Sequence, residues 1–484
     1  LSVGEIYSDD MIFQRDVPLE ISGRTAPGLE VKVTLGPSTR KCRSAQDGTW
    51  KVRMPALKAG TGIPFTVTDG RDTLSFSNVA AGEVWLCSGQ SNMAFELKGA
   101  DTFSREGLDD PMLRFYDMKS HLKTWGLVWS EEDAGKVAQG KYYDRTRWSC
   151  SSEKTAGKFS AVGYYFGKML RDSLNVPVGL ICNAVGGTTT ESFISRSALE
   201  KVLPGFCDGW LEDESVMEWA RGRARENMSA FKGGYIQHPF MPAYLFENGI
   251  RPLERFQVKG AIWYQGESNV ENIPQHEILF RTLVDCWRQT WKNPDLPFYF
   301  VQLSSIERPT WPEFRNSQRL LSLEIPHCGM AVSSDLGHPT DVHPRAKKPV
   351  GERLARLALR NDYGKQVECL APAATKAILN DSGNVTVLFD SPISVPGTMP
   401  VRGFRICLED GSEIPASAEI SGSDAVILSR DAGRPDAAAD SKNTKADSST
   451  AIVKVKYAWD PWTDANLTGT TGLPVSTFDI EIGE

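Results

Sequence analysis

An α/β core with a parallel sheet, flanked at both ends by β-sandwich-like regions, is the fold the sequence predicts. Three observations carry it. Short alternating apolar runs fill the first eighty residues, apolar runs interleave with helical periodicity from about Val84, and short strands return after about Glu368. At 484 residues the chain exceeds one ordinary domain and suits two or three. The predicted boundaries are 1–80 for an N-terminal β domain, 81–367 for the central α/β domain and 368–484 for a C-terminal β region. The segment 459–474 is a candidate to return from that last region to the central domain.

In the first region Val31, Val33 and Leu35, then Trp50, Val52 and Met54, then Phe65 and Val67 alternate with polar residues between Gly, Pro and Asp turns. This is the spacing of a small sandwich. Beyond it, an apolar run at 84–86 leads into a glycine-containing turn. Val162, Phe166, Met169, Leu170 and Leu174 predict a helix over 160–174, and Pro177 opens a buried-type strand at 178–182. A strand is expected at 261–264, then a helix over 277–291 with Leu279, Phe280, Leu283, Val284, Trp287 and Trp291 on one side. Strands at 298–303 and 330–332 and a helix over 346–359 complete the core. In parallel sheets of this kind, sites form at the carboxyl ends of the strands. Strands are expected next at 376–379, 385–389, 404–408, 425–428 and 452–457. The polar, aperiodic stretch 430–450 reads as a long mobile loop.

Composition narrows the function classes. Lys and Arg total 54 against 61 Asp and Glu, a net charge of −7, which argues against a nucleic-acid partner. No apolar run reaches the roughly 18 residues of a membrane span. Nine cysteines, an odd number without a C-x-x-C pair, exclude a full disulfide framework in a monomer and make structural zinc unexpected. Mostly free, buried thiols are expected. The chain begins at Leu1 with no basic-then-apolar leader, so a targeting segment already removed and an extracytoplasmic location are expected. Only six histidines are available as bases, and thirteen tryptophans supply either core or sugar-binding faces.

Four polar loops follow apolar runs. The first carries Gly89, Gln90, Ser91, Asn92 and Met93. A serine on a tight turn after a strand can expose a nucleophilic hydroxyl while backbone N–H groups face an oxyanion; it can equally be a helix N-cap. The second holds Gly186, Gly187, Thr188 and, further on, Glu191, where a glycine pair lets backbone amides approach a ligand or simply makes a turn. The third, Trp263 to Asn269 with Gln265, Glu267 and Ser268, is dense in hydrogen-bonding groups. The fourth places His338 and His343 among Asp335 and Asp341. A histidine there could take a serine proton with a carboxylate behind it, or the loop could be merely polar, or His338, Asp341 and His343 could bind a metal.

Taken together and in this order, these loops resemble the blocks of the SGNH (GDSL-like) hydrolases, specifically the sialate O-acetylesterase family and its carbohydrate-acetylesterase relatives. Gly89 to Met93 resembles the nucleophile block, Gly186-Gly187-Thr188 the second, Trp263 to Asn269 the third, and Asp341-Val342-His343-Pro344 the last. The stretch from Lys347 or Lys348 to Leu354 extends that last block. Ser8 to Gln14 and Tyr457 to Pro474 are similar to the family's opening and closing segments, so the likeness covers most of the chain.

The resemblance implies a flavodoxin-like three-layer SGNH core and a serine esterase that removes O-acetyl groups from sugars. O-acetylated sialic acid is the first expectation, with acetylated xylan or another plant glycan as the alternative. Ser91 is then the nucleophile and His343 the base. The oxyanion hole falls to the Ser91 N–H, a Gly186 or Gly187 N–H and the Gln265 amide. The family's acid usually stands three residues before the histidine, where this chain has Thr340. Either Asp341 turns back to His343 or a backbone carbonyl serves and the unit is a dyad, with Asp335 a more remote acid. Substrate contacts are expected from Gln90, Asn92, Glu191, Glu267, Asn269, Arg315 and His338, with Arg315 or Arg345 as a cation for a sialate carboxylate. No cofactor or metal is implied. A catalytically inactive carbohydrate-binding protein is the reading from another class, and a lipase or thioesterase would need an apolar acyl groove.

Overall fold

The computed structural model describes residues 1–430 and 450–483, so most of the loop expected at 430–450 lies outside the described residues. The chain forms two compact units. The first comprises Leu1–Phe300, Ile325–Gly329 and Arg345–Tyr363, and the second Val301–Glu324, Met330–Pro344 and the described part of Gly364–Glu484.

The first unit is organised by one mixed sheet. Its strands are β1 (Ile12–Gln14), β2 (Ala80–Gly89), β3 (Asp110–Asp117), β4 (Ser149–Ser151), β5 (Val178–Ala184), β6 (Gly260–Tyr264), β7 (Phe298–Val301) and β8 (Cys328–Ala331). The spatial order is β4-β3-β5-β2-β6-β7-β8, with β1 paired to the start of β2. Neighbours from β3 to β7 run parallel, as does β1 with β2, and β4 is antiparallel to β3. From β2 the chain fills one side of the sheet and then crosses to β6 on the other. The progression therefore reverses at β2, the place where parallel sheets open a crevice.

Both faces of this sheet are covered, which explains why its strands read as continuous apolar runs. Phe298 and Tyr299 are consecutive on β7 and so point to opposite faces. Tyr299 stacks on Trp85, which meets Phe166 of the helix Ala161–Leu174; Phe298 meets Trp263 and Trp287, the latter on the helix Ile273–Thr290. The helix Lys347–Asn361 packs beside Ala161–Leu174, close enough that a Cβ on Gly351 would lie 2.7 Å from Val162 O. Ser160 caps Ala161–Leu174 through Gly163 N–H, as its position predicts. Ile273–Thr290 starts four residues before the predicted 277, because Asn272 caps it and Pro274 is tolerated in its first turn.

The N-terminal strands form two small antiparallel sheets. Ser2–Val3, Leu19–Arg24 and Thr49–Met54 make one; Ser38–Arg43, Glu30–Leu35, Phe65–Thr68 and Thr73–Phe76 make the other. The alternation of buried and exposed residues in Thr49–Met54 and Glu30–Leu35 is the period-two pattern read from the sequence. Arg114, 1% exposed, ties this region to β3 by donating to the carbonyls of Asp10 and Met11.

In the second unit a seven-stranded antiparallel sheet runs Ala374–Leu379, Val385–Phe389, Ala425–Arg430, Glu413–Ser421, Phe404–Leu408, Ile452–Tyr457, Phe478–Glu481. Its two edges meet through a bridge between Ala377 and Ile482, so the sheet nearly closes around Val387, Ile406, Val426, Leu428 and Val455. The helix Trp311–Glu324 packs on this sheet, with Asn316 Nδ2 donating to Asp479 at 2.8 Å. All nine cysteines are free thiols, five of them buried. No helix among the described residues is long and apolar enough to cross a membrane.

Candidate active site

Three loops leave the sheet side by side. Ala184, Gly89 and Tyr264 stand in register at the ends of β5, β2 and β6. Gln90 N–H donates to Tyr264 O and Val185 N–H to Gly89 O, both at 3.0 Å, which carries the pairing into the loops. Gly89 turns at φ +133°, and a Cβ there would lie 2.1 Å from Tyr264 O, so only glycine fits. The turn delivers half-buried Ser91 as the first residue of the short helix Ser91–Ala94.

Gly186 faces this serine: a Cβ on it would lie 3.6 Å from Ser91 Cβ. The carbonyls of the glycine pair are held by side chains. Thr124 Oγ1 donates to Gly186 O at 2.9 Å and Ser268 Oγ to Gly187 O at 3.1 Å. Neither Gly186 N–H nor Gly187 N–H takes a partner among the described residues. Unspent backbone donors beside a serine hydroxyl are what a developing oxyanion requires.

The third loop departs from its predicted role. Gln265, 1% exposed, spends its amide hydrogens on Asn269 Oδ1 (2.6 Å) and Thr188 O (3.2 Å), and its Oε1 accepts from Thr190 Oγ1 at 2.6 Å. It clamps the second and third loops together through these bonds. Asn269 also accepts Thr190 N–H and donates to Glu191 at 3.1 Å. Glu191 is 2% exposed, and burial pushes its carboxyl pKa up. Asn269 and Glu191 therefore position the loops. Gln90 differs: its Oε1 accepts Gly266 N–H at 3.4 Å, and its Nε2 takes no partner among the described residues.

Beneath the Ser91 turn runs a buried chain of polar side chains. Lys347, 1% exposed, donates from Nζ to Asn92 Oδ1, and Asn92 Nδ2 donates to Glu267 Oε1 at 2.5 Å. The ammonium also lies 4.9 Å from the Phe95 ring centre and 5.4 Å from that of Tyr264. Asn92, the residue after Ser91, is thereby held between a buried cation and the Glu267 carboxylate. The signal was present in Lys347, a lysine at an otherwise apolar helix position. Lys347→Met is expected to destabilise the protein by about 3 kcal/mol, because the buried Asn92 carbonyl loses its charged donor. Urea unfolding checks this, and a loss under about 1 kcal/mol would contradict it.

The fourth loop belongs to the second unit and is pinned within it. Ser333 Oγ donates to Gln302 O, His338 N–H to Ser305 O, and Glu307 N–H to Pro339 O. Arg315, expected to meet a substrate carboxylate, is fully buried and donates to the carbonyls of Ala458, Asp460 and Pro461 and to Thr477 Oγ1. Its charge is spent on the closing segment, which corrects its assignment. Ile306 N–H also donates to Pro461 O, so the closing segment braces the stretch that carries the fourth loop.

Among the six histidines, His238 and His276 are buried and held neutral by desolvation, each with its pKa lowered to about 3. His121 pairs with Asp144 at 2.7 Å, and His327 stands 3.2 Å from Asp295. His338 is exposed and accepts the Thr340 and Asp341 N–H groups on Nδ1, so it staples the loop. His343 is half-buried. Asp341 Oδ1 accepts its backbone N–H at 2.8 Å and stands 4.0 Å from its Nδ1, beyond hydrogen-bond reach. Of the two expected arrangements, the Asp341 side chain is seen holding the His343 backbone in a turn, with its carboxylate 4.0 Å from Nδ1.

Comparison with known proteins agrees with this architecture. Residues 219–360 match the family model for carbohydrate esterase, sialic acid-specific acetylesterase. The chain is 27% identical to the sialate O-acetylesterase of Mus musculus over 91% of its length and 86% of that protein's, and 27% identical to that of Homo sapiens over 94% and 87%. A solved structure of a carbohydrate acetylesterase from Xanthomonas citri superposes with a TM-score of 0.79 at 29% identity, covering 99% of both chains. The protein is a carboxylic ester hydrolase with an α/β core and additional β regions. Over most of its length it is similar to the sialate O-acetylesterases and to a carbohydrate acetylesterase.

Proposed function

We propose that this protein hydrolyses O-acetyl esters on sugars, with O-acetylated sialic acid as its substrate, using Ser91 and His343 on an SGNH-type three-layer core. The observation that carries the reading is half-buried Ser91 beside two backbone N–H groups that take no partner among the described residues. His343 takes the Ser91 proton as Oγ attacks the acetyl carbonyl. The tetrahedral oxyanion is met by Ser91 N–H and by Gly186 or Gly187 N–H, each donor contributing about 3 kcal/mol to the transition state. Gln90, with an amide hydrogen to spare, replaces Gln265 as the side-chain donor. His343 then protonates the departing sugar alkoxide, and water deprotonated by the same ring releases acetate from the acyl-serine.

Asp341 supports this relay by holding the His343 backbone and placing negative charge near the ring. Asp341→Ala is accordingly expected to lower kcat/KM by only about tenfold; a loss of 10³ or more would make it a full triad member. With Arg315 buried, Arg345 is the remaining cation for a sialate carboxylate: it is exposed, with Nε on Gly99 O at 2.9 Å. Acetate release from 9-O-acetyl sialic acid, compared with release from acetylated xylan, tests the substrate assignment. Higher kcat/KM on xylan would move the protein to the plant-glycan esterases.

A further inference from the structure

We infer that Trp219 is a substrate-contacting residue, an aromatic platform on which the sugar ring of the acetylated substrate stacks beside the Gly186–Gly187 turn. The inference rests on the acetyl-sugar esterase reading and adds to it the residue that selects a ring.

Of the thirteen tryptophans only Trp125, Trp219 and Trp462 are exposed, at 70%, 40% and 39%. Two of these three flank the glycine turn. Trp219 lies in the first turn of Glu218–Asn227, and a Cβ on Gly187 would fall 2.6 Å from its Cη2. Gly187 has φ +82°, so both its backbone and its neighbour exclude a side chain, and the indole edge comes directly onto the turn whose other glycine faces Ser91. The ring is braced from behind. It meets Phe240 edge-on at 5.6 Å, Phe240 meets buried His238 at 4.7 Å, and His238 stacks on Trp129 at 5.0 Å.

The second exposed indole, Trp125, is also tied to the turn through its chain neighbours. Trp125 is adjacent in sequence to Thr124, whose hydroxyl holds Gly186 O. The next residue, Gly126, sits so that a Cβ would be 3.9 Å from Arg223 Nη1, on the helical turn after Trp219. An indole left this exposed forgoes the burial that normally stabilises it. The apolar C–H face of a pyranose supplies that burial, while the sugar hydroxyls remain in water. A rigid exposed ring, fixed by packing and one turn away from the nucleophile, orients a sugar ester and gives no advantage to an ester without a ring.

The test measures acetate release by wild type, Trp219→Ala and Trp219→Phe on the better of 9-O-acetyl sialic acid and acetylated xylan, and on vinyl acetate, which carries the acetyl group without a ring. For Trp219→Ala the ratio of kcat/KM on sugar to kcat/KM on vinyl acetate is expected to fall about tenfold, mainly through KM, and Trp219→Phe should recover most of it. An unchanged ratio, or equal losses on both esters in both variants, would overturn the platform while leaving the esterase reading intact. A wild type that cleaves vinyl acetate and no acetylated sugar would overturn the functional reading and the platform with it.

Discussion

Ser91→Ala is expected to abolish acetate release, lowering kcat/KM by about 10⁴ or more. The substitution deletes one oxygen from a half-buried residue at the start of a short helix, and the turn that positions it is made by Gly89 and by backbone bonds to Tyr264 and Val185. The fold therefore has little reason to respond, and thermal unfolding should stay within a few degrees of wild type. Residual activity above about 1% in a preparation free of contaminating esterase would remove Ser91 from the chemistry.

His343→Ala is expected to cost about as much, because a serine hydroxyl without a base is a weak nucleophile at neutral pH. The two losses should not add: the double variant should be no worse than either single one, since the residues act as a unit. Independent, additive losses would mean that the two serve different steps. The other five histidines are otherwise engaged. His238 and His276 are buried and neutral, His121 and His327 stand beside aspartates, and His338 is committed through Nδ1 to its own loop.

The parallel core was legible because burial on both faces writes continuous apolar runs, and because caps such as Ser160 mark helix starts. The helix Trp311–Glu324 was not predicted. It buries Arg315, Asn316, Ser317 and Gln318, polar residues paired by hydrogen bonds, so it shows little apolar periodicity. The strand Glu413–Ser421 was missed for a related reason: it is half-exposed, and Pro415, Ala416 and Ala418 interrupt its apolar alternation. At the site, motif order brought out the serine turn, the glycine pair and the histidine loop. The direction of each polar side chain was not legible. Whether Gln265 faces an oxyanion or Asn269 depends on Thr190 and Asn269, and whether Arg315 meets a substrate or a backbone depends on residues more than a hundred positions away. Composition pointed to tryptophan as a sugar face, and only exposure separates Trp219 and Trp125 from the indoles of the core.

Labelling the native protein with a fluorophosphonate and mapping the adduct by peptide mass spectrometry interrogates the nucleophile itself. One adduct per chain on Ser91, formed in step with the loss of acetate release, is the expected result. Complete inactivation with Ser91 unmodified, or full labelling of Ser91 with acetate release intact, would contradict it.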